Sequence, residues 1–314
     1  MANRALYDLI IIGGGAAGLS AGIYALRASM RTVLIENTTA GGQIIKSDIV
    51  ENYPGFVNIN GFELSQKLLD HARTYHLEIL PEEATALQPG LDRHTVELAG
   101  GERLKAHAVI LASGGMPRKL NVPGEDELYG KGVSYCAVCD GFFFRDKSVT
   151  VVGGGDTAAE EALYLAKLAR KVTLIHRRDA LRASMILQER LRCEPNIEII
   201  WNNVIEAIKS DGDQVQAIQL THTLTGKKHD LATEGVFIFI GFIPNNQLVP
   251  AGIKLSTEGY VCTDAKCETN IPGIFASGDL REKYARQIVL SAADGCTAAL
   301  AAAHHVELKR SHSK

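Results

Sequence analysis

Cys136-Ala137-Val138-Cys139 sets two thiols three residues apart, with Asp140-Gly141 directly behind them. Three chemistries use such a pair. A zinc site needs about four ligands, and the other cysteines, Cys193, Cys262, Cys267 and Cys296, form no second pair of this spacing. Two inert buried thiols are the second reading. The third is a redox disulfide, because a CxxC closes a small ring, lowers a thiol pKa and exchanges rapidly with another disulfide. Spacing leaves all three open and favours the last. In that case Asp140 supplies the proton that accompanies two-electron transfer; its competing role is a turn residue before Gly141.

Electrons for such a pair can come from a bound carrier, and the chain twice shows the element that holds one. The apolar run Tyr7 to Ile12 meets Gly13-Gly14-Gly15-Ala16-Ala17-Gly18, a helical stretch follows, and Arg31 to Glu36 reads as the next strand. Gly13 permits the tight turn, Gly15 lets backbone N–H groups approach a pyrophosphate, and Gly18 allows close helix packing. Glu36 ends the second strand, where it can bind a ribose 2′-OH. The unit returns at Ser148 to Val152, Gly153-Gly154-Gly155-Asp156-Thr157-Ala158 and Lys171 to Ile175. Two units imply two dinucleotides. A tight turn with no ligand is the bland alternative for each loop.

The two units differ where their bases would differ. Glu36 lies 18 residues after Gly18, and His176 lies 18 residues after Ala158. His176-Arg177-Arg178, with Arg182 one turn beyond, puts cations where an adenosine 2′-phosphate sits, so the second site favours NADPH; the alternative is a solvated charged edge. The acidic first site suits FAD. Gly41-Gly42-Gln43 and Glu51-Asn52-Tyr53-Pro54-Gly55 add turns with polar side chains for a flavin. Ile274 to Ser277 reads as a strand ending in a Gly278-Asp279 turn, and a helix starting near Arg286-Gln287 can stabilise an anionic reduced flavin.

The elements that must position these residues fit the length. With 314 residues the chain accommodates two domains, at roughly 100 to 200 residues each. Its 46% hydrophobic and 22% charged content is globular, and 33 basic against 36 acidic residues give no electrostatic reason to bind nucleic acid or an anionic membrane. The uncharged stretch Leu9 to Leu26 is broken by its glycines, and no basic leader precedes it, so no membrane span and a cytoplasmic location are expected. Six cysteines are too few for a disulfide scaffold.

The segments GGGAAG, AGGQ, ENYPG, CAVCDGFF, GGGDTA, HRRDALR, GFIPN and SGDLREKYARQ, in this order, resemble the low-molecular-weight, bacterial-type thioredoxin reductases over essentially the whole chain. The resemblance implies an α/β protein of two Rossmann-like three-layer dinucleotide-binding domains. An FAD domain spans 1–116 and 246–314, and an NADPH domain with the CxxC is inserted at 117–245, in a homodimer. It further implies that Cys139 is the thiol nearer the flavin, that Cys136 attacks the disulfide of a thioredoxin, and that Asp140 is the acid. The expected FAD contacts are Gly13, Gly15, Ala16, Ala17, Gly18, Glu36, Asn37, Gly41, Gly42, Gln43, Asn52, Gly278, Asp279, Arg286, Gln287 and Ile288. Those for NADPH are Gly153, Gly155, Asp156, Thr157, Ala158, His176, Arg177, Arg178, Arg182, Ile240 and Gly241.

If dithiol and nicotinamide share one domain, both need near-contact with a flavin on the other, so a domain rotation is expected, hinged near Met116 to Arg118 and Phe242 to Asn246. The Ala-Val inside the CxxC stands where Ala-Thr is familiar, and Ala112-Ser113-Gly114-Gly115 where Ala-Thr-Gly-Ala is common. Neither removes a catalytic atom; Val138 bears on redox potential or partner fit. No added redox domain precedes Ala5, which argues against the peroxiredoxin-reductase relatives. Two other readings stand beside the leading one: a same-fold reductase or oxidase using ferredoxin, reduced flavin or a small dithiol, and a flavin-bound redox sensor that hardly turns over.

Overall fold

The structure is a computed structural model, and it describes residues 6–47 and 50–312. Its helices, in chain order, are α1 (Ala16–Arg27), α2 (Gly61–Thr74), α3 (Ala137–Asp140), α4 (Asp156–Ala166), α5 (Met185–Cys193) and α6 (Ile288–His312). The chain divides into two compact units, one formed by Met1–Met116 with Ile243–Lys314, the other by Pro117–Phe242.

In the first unit the apolar run becomes the Tyr7–Ile12 strand, buried along its whole length. Side chains alternate across a strand. Leu9 and Ile11 therefore join the core beneath α1 and α6, while Ile10 and Ile12 join a second core on the opposite face. A strand apolar on both sides belongs in a parallel sheet covered on both faces. It pairs in parallel with Thr32–Ile35 and with Arg103–Leu111, and Ile274–Ala276 adds to the latter, also in parallel. Glu78–Leu80 extends the sheet beyond Thr32–Ile35, and the antiparallel strands His94–Leu98 and Ala84–Gln88 extend it on the other side. Asp8, the one charge in the first strand, accepts from the Arg31 N–H at 2.8 Å and from an Arg310 guanidinium N–H at 2.6 Å.

Small residues let α1 and α6 approach closely. A Cβ on Gly295 would lie 2.0 Å from the Ala17 carbonyl oxygen, so only glycine fits there. α6 continues to His312; of the chain's last residues, 313 and 314 lie outside the described part.

The second unit repeats the plan. Ser148–Gly153 pairs in parallel with Lys171–Ile175 and Gly235–Phe239, flanked by Ile197–Ile200 and Val133–Ser134. Val149 and Val151 pack with residues of α4 and α5, such as Ala158, Ala162 and Leu187. Val152, Ile175 and Ile238 face the other way, onto Ile205, Ile218 and Leu220 of a three-stranded antiparallel sheet. The unit thus has helices, parallel sheet and a second sheet as its three layers.

Candidate functional site

The first glycine loop divides its glycines by purpose. Gly13 has φ +109°, and a Cβ there would lie 2.4 Å from the Ala112 carbonyl oxygen; a Cβ on Gly18 would lie 1.8 Å from the Gly13 carbonyl oxygen. The fold itself needs both. At Gly15, by contrast, an added Cβ meets nothing within 4 Å, and φ is −73°. The protein's own packing does not ask for glycine there; a pyrophosphate laid against the backbone at the start of α1 would. Gly155 repeats the case, with φ −93° and nothing within 4 Å. At Gly153 a Cβ would come within 2.5 Å of Ala158 Cβ and of the Phe239 carbonyl oxygen. Both cradles therefore fit a dinucleotide.

The flavin-set residues of the first unit gather on this loop. Glu36 accepts from the Gly14 N–H at 2.7 Å with one carboxylate oxygen and from the Thr38 N–H and hydroxyl with the other. Gly41 donates its N–H to the Gly14 carbonyl at 2.8 Å, and Gly42 lies against Gly15. Gly278, with φ +71°, lies against Ala17. Asn52 donates to the Gln287 side-chain carbonyl at 3.3 Å, bringing two distant sequence segments together, and Ala16 and Ile288 pack in one apolar cluster. Arg286 lies over the Tyr260 ring at 4.1 Å. Asn37 and Gln43 are exposed beside these groups.

Asp279 belongs to an ion network that the sequence did not reveal. The Lys283 ammonium, 9% exposed, lies 3.1 Å from Asp279 and 3.4 Å from Asp294, and it donates to the Ser291 hydroxyl. Asp294 also takes Arg281 at 2.7 Å and the Gly278 N–H at 3.2 Å. Two cations and two anions thus hold the Gly278-Asp279 turn, and ion pairs this buried lose more when one member is removed than they give when intact.

In the second unit His176 takes the place that Glu36 has in the first. A Cβ on Gly154 would lie 2.2 Å from the His176 ring, as one on Gly14 would lie 3.1 Å from Glu36. The imidazole Nδ1 is 2.7 Å from the Gly153 carbonyl oxygen, which makes it the donor, and the buried Nε2 has no partner among the described residues. His176 therefore faces inward and does not stand beside the exposed Arg177 and Arg178. Arg182 is brought to the loop by its own N–H, which donates to the Gly154 carbonyl at 2.7 Å. Asp156 opens α4 and accepts from the Ser184 N–H, and Thr157 is exposed beside it. Gly241, next to Ile240, accepts from the Arg118 N–H at 2.9 Å.

Cys136 and Cys139 form a disulfide across α3, in the same unit as the second loop. Cys136 Sγ also accepts from the Cys139 N–H at 3.2 Å. Ser134, buried two residues earlier, donates its hydroxyl to Asp140 at 2.5 Å and accepts from the Cys136 N–H at 3.0 Å, tying the acid to the turn that carries the sulfurs. The four remaining cysteines are free thiols, and burial pushes the Cys267 thiol up to about 11. Glu161 on α4 is half-buried, and burial pushes its carboxyl above the usual carboxylate range. Nothing around Ser134 marks it in sequence. Glu161 does carry a signal, a charge three residues after Ala158 and four before Leu165 on a buried helical stripe.

Residues 7–295 match the pyridine nucleotide-disulphide oxidoreductase family. The chain belongs to this family. Within it the chain is 45% identical over 308 residues to the thioredoxin reductase of Bacillus subtilis, covering 98% of this chain and 97% of that one. The crystal structure of the Streptococcus pyogenes thioredoxin reductase superposes with a TM-score of 0.94 at 40% identity, covering 98% of this chain and all of that one. A Lactococcus lactis thioredoxin reductase in its FR conformation, also 40% identical and covering 96% and 99%, gives 0.65. As a pyridine nucleotide-disulphide oxidoreductase, the protein is a flavoprotein that works with a nicotinamide nucleotide and a redox disulfide. No helix among the described residues is long and apolar enough to cross a membrane.

Proposed function

We propose that this oxidoreductase is a thioredoxin reductase that draws electrons from NADPH through FAD to the Cys136–Cys139 disulfide and on to oxidised thioredoxin. The observation that carries the reading is the closed cysteine pair on the unit that also holds the second glycine loop. The first loop, with Glu36 across it, suits the adenosine of FAD. At the second loop a histidine stands where the first has Glu36, and Arg177, Arg178 and Arg182 follow it, which is the charge a 2′-phosphate requires. When bound, FAD supplies the two-electron relay between nicotinamide and disulfide.

The chain's own residues then do the following. Cys139 receives the electrons, and Cys136 attacks the thioredoxin disulfide. Asp140, held by Ser134, gives and takes the proton that thiol–disulfide exchange requires. Because the disulfide and the nicotinamide both need the flavin at contact distance, the second unit rotates about the segments near Met116 to Arg118 and Phe242 to Asn246 between two states. The enzyme works as a cytoplasmic homodimer, in keeping with its few cysteines.

The experiment is an anaerobic visible titration of the flavin-loaded protein. NADPH is expected to bleach the flavin far more readily than NADH, and oxidised thioredoxin to restore the colour. A flavin that stays oxidised overturns the NADPH assignment; one that bleaches but is not reoxidised by thioredoxin overturns the acceptor.

A further inference from the structure

The Gly278-Asp279 turn stands against the start of α1, beside the first glycine loop: an added Cβ on Gly278 would lie 3.0 Å from the Ala17 Cβ. A carboxylate next to a pyrophosphate cradle repels phosphate and accepts from hydroxyls, so Asp279 suits the polyol chain of a flavin dinucleotide. Its two side-chain partners both fall on Oδ1. The Lys283 ammonium lies 3.1 Å away, and the Ser291 hydroxyl donates at 3.2 Å. Oδ2 takes no hydrogen bond from the described residues, and the Asp279 side chain is 30% exposed. Lys283 is only 9% exposed, a burial that lysine reaches only when paired. It donates to Ser291 Oγ at 3.2 Å while Ser291 donates onward to Asp279, so ammonium and hydroxyl act on one oxygen. Asp294, on α6 like Ser291, takes the other side of the ammonium at 3.4 Å and is itself paired with Arg281.

We propose that Lys283 is a positioning residue for the flavin: with Ser291 it holds Asp279 by Oδ1 and so keeps Oδ2 ready to accept from a hydroxyl of the polyol chain. The inference rests on the assignment of the flavin to the first glycine loop. Two carboxylates share one ammonium, so without Lys283 only the Ser291 hydroxyl orients Asp279, and Asp294 loses a partner. An acceptor that is not fixed beforehand must be ordered when the ligand arrives, and affinity falls by that cost. The ion pairs and the hydrogen bond of Lys283 go to Asp279, Asp294 and Ser291, none to the Gly13 to Gly18 loop. Its effect should therefore be confined to the flavin half of the dinucleotide.

The test titrates full-length protein, freed of flavin, with FAD by fluorescence. ADP, which has the adenosine and pyrophosphate but neither polyol nor flavin ring, is measured as a competitor of FAD. Lys283→Met is expected to raise the FAD dissociation constant about tenfold and to leave the ADP inhibition constant within twofold. In an Asp279→Asn background, which itself weakens FAD binding, Lys283→Met should add less than twofold, because the carboxylate it positions is gone. Ser291→Ala leaves all four charges in place and should weaken FAD about fivefold with ADP unchanged; it decides the matter should Lys283→Met not fold. A merely structural role would weaken ADP and FAD alike. The inference is overturned if Lys283→Met or Ser291→Ala binds FAD within twofold of the unsubstituted protein, if ADP is lost in proportion, or if the effects of Lys283→Met and Asp279→Asn simply multiply. Binding of FAD by the unsubstituted protein reads the cofactor assignment separately.

Discussion

At the scale of single residues the chemistry rests on few atoms, so substitutions should separate its steps. Cys136→Ser and Cys139→Ser remove the disulfide but touch neither glycine loop. Each is expected to lower thioredoxin reduction by roughly a thousandfold or more, because no other thiol lies in the pair's place, while NADPH still bleaches the flavin at a normal rate. Stopped-flow absorbance of the flavin, set against steady-state turnover, checks both halves. Arg177→Ala with Arg178→Ala tests nucleotide choice. Charge-assisted hydrogen bonds contribute about 1.5 to 3 kcal/mol each, so the NADPH Michaelis constant should rise at least about tenfold while that for NADH barely moves. An unchanged ratio between the two would return the arginines to a solvated edge. His176 is not part of this test, since its ring packs beneath Gly154 and its loss would disturb the loop itself.

At the scale of elements, the glycines separate folding from binding. Gly18→Ala forces a Cβ to within 1.8 Å of a backbone oxygen, and Gly295→Ala to within 2.0 Å, so each should cost at least about 1 to 3 kcal/mol as α1 moves. Gly15→Ala meets no atom of the protein. It is expected to leave the flavin-free protein's melting temperature within about 1 °C and to weaken flavin binding tenfold or more, read by fluorescence titration. A Gly15→Ala protein that melts early, or binds flavin normally, contradicts the division. This contrast also shows what the sequence could convey. The two strand-loop-helix units, the cysteine pair and the register of Glu36 against His176 were legible because each depends on neighbours within about 25 residues. The antiparallel sheet of the second unit went unread. So did Ser134 and the Lys283–Asp294 network, since each acquires its role from a partner chosen by tertiary packing: Ser134 from where α3 ends, and Lys283 from a turn of α6. The inward turn of His176 likewise needed the loop's geometry.

At the scale of the whole molecule, the two units should answer acid differently. His94 is fully buried in the first unit, and burial first, with Lys309 and His305 adding, lowers it to about 4. His107 and His305 of the same unit are lowered as well, chiefly by burial. For a histidine depressed on folding, the unfolded chain binds more protons between the two pKa values. Its stabilising contribution is therefore complete above about pH 6.5 and is lost as pH falls toward about 4, roughly 3 kcal/mol for His94 alone. The second unit carries the opposite sign in Glu161, which is raised on folding, so that its contribution is full at acid pH and fades as pH rises through the raised value. Between pH 7 and about 4.5, acidification thus weakens the first unit, through its buried histidines, more than the second. The chain supplies its own reporters: the single tryptophan, Trp201, lies in the second unit, and the flavin-set residues lie in the first. On heating at pH 7 and again at pH 4.5, the midpoint for flavin release should fall markedly while that of the Trp201 emission shift holds, and His94→Gln should flatten the pH dependence of the flavin signal alone. Two midpoints that fall together would mean that the units unfold as one cooperative block, and that the buried histidines do not set the acid limit.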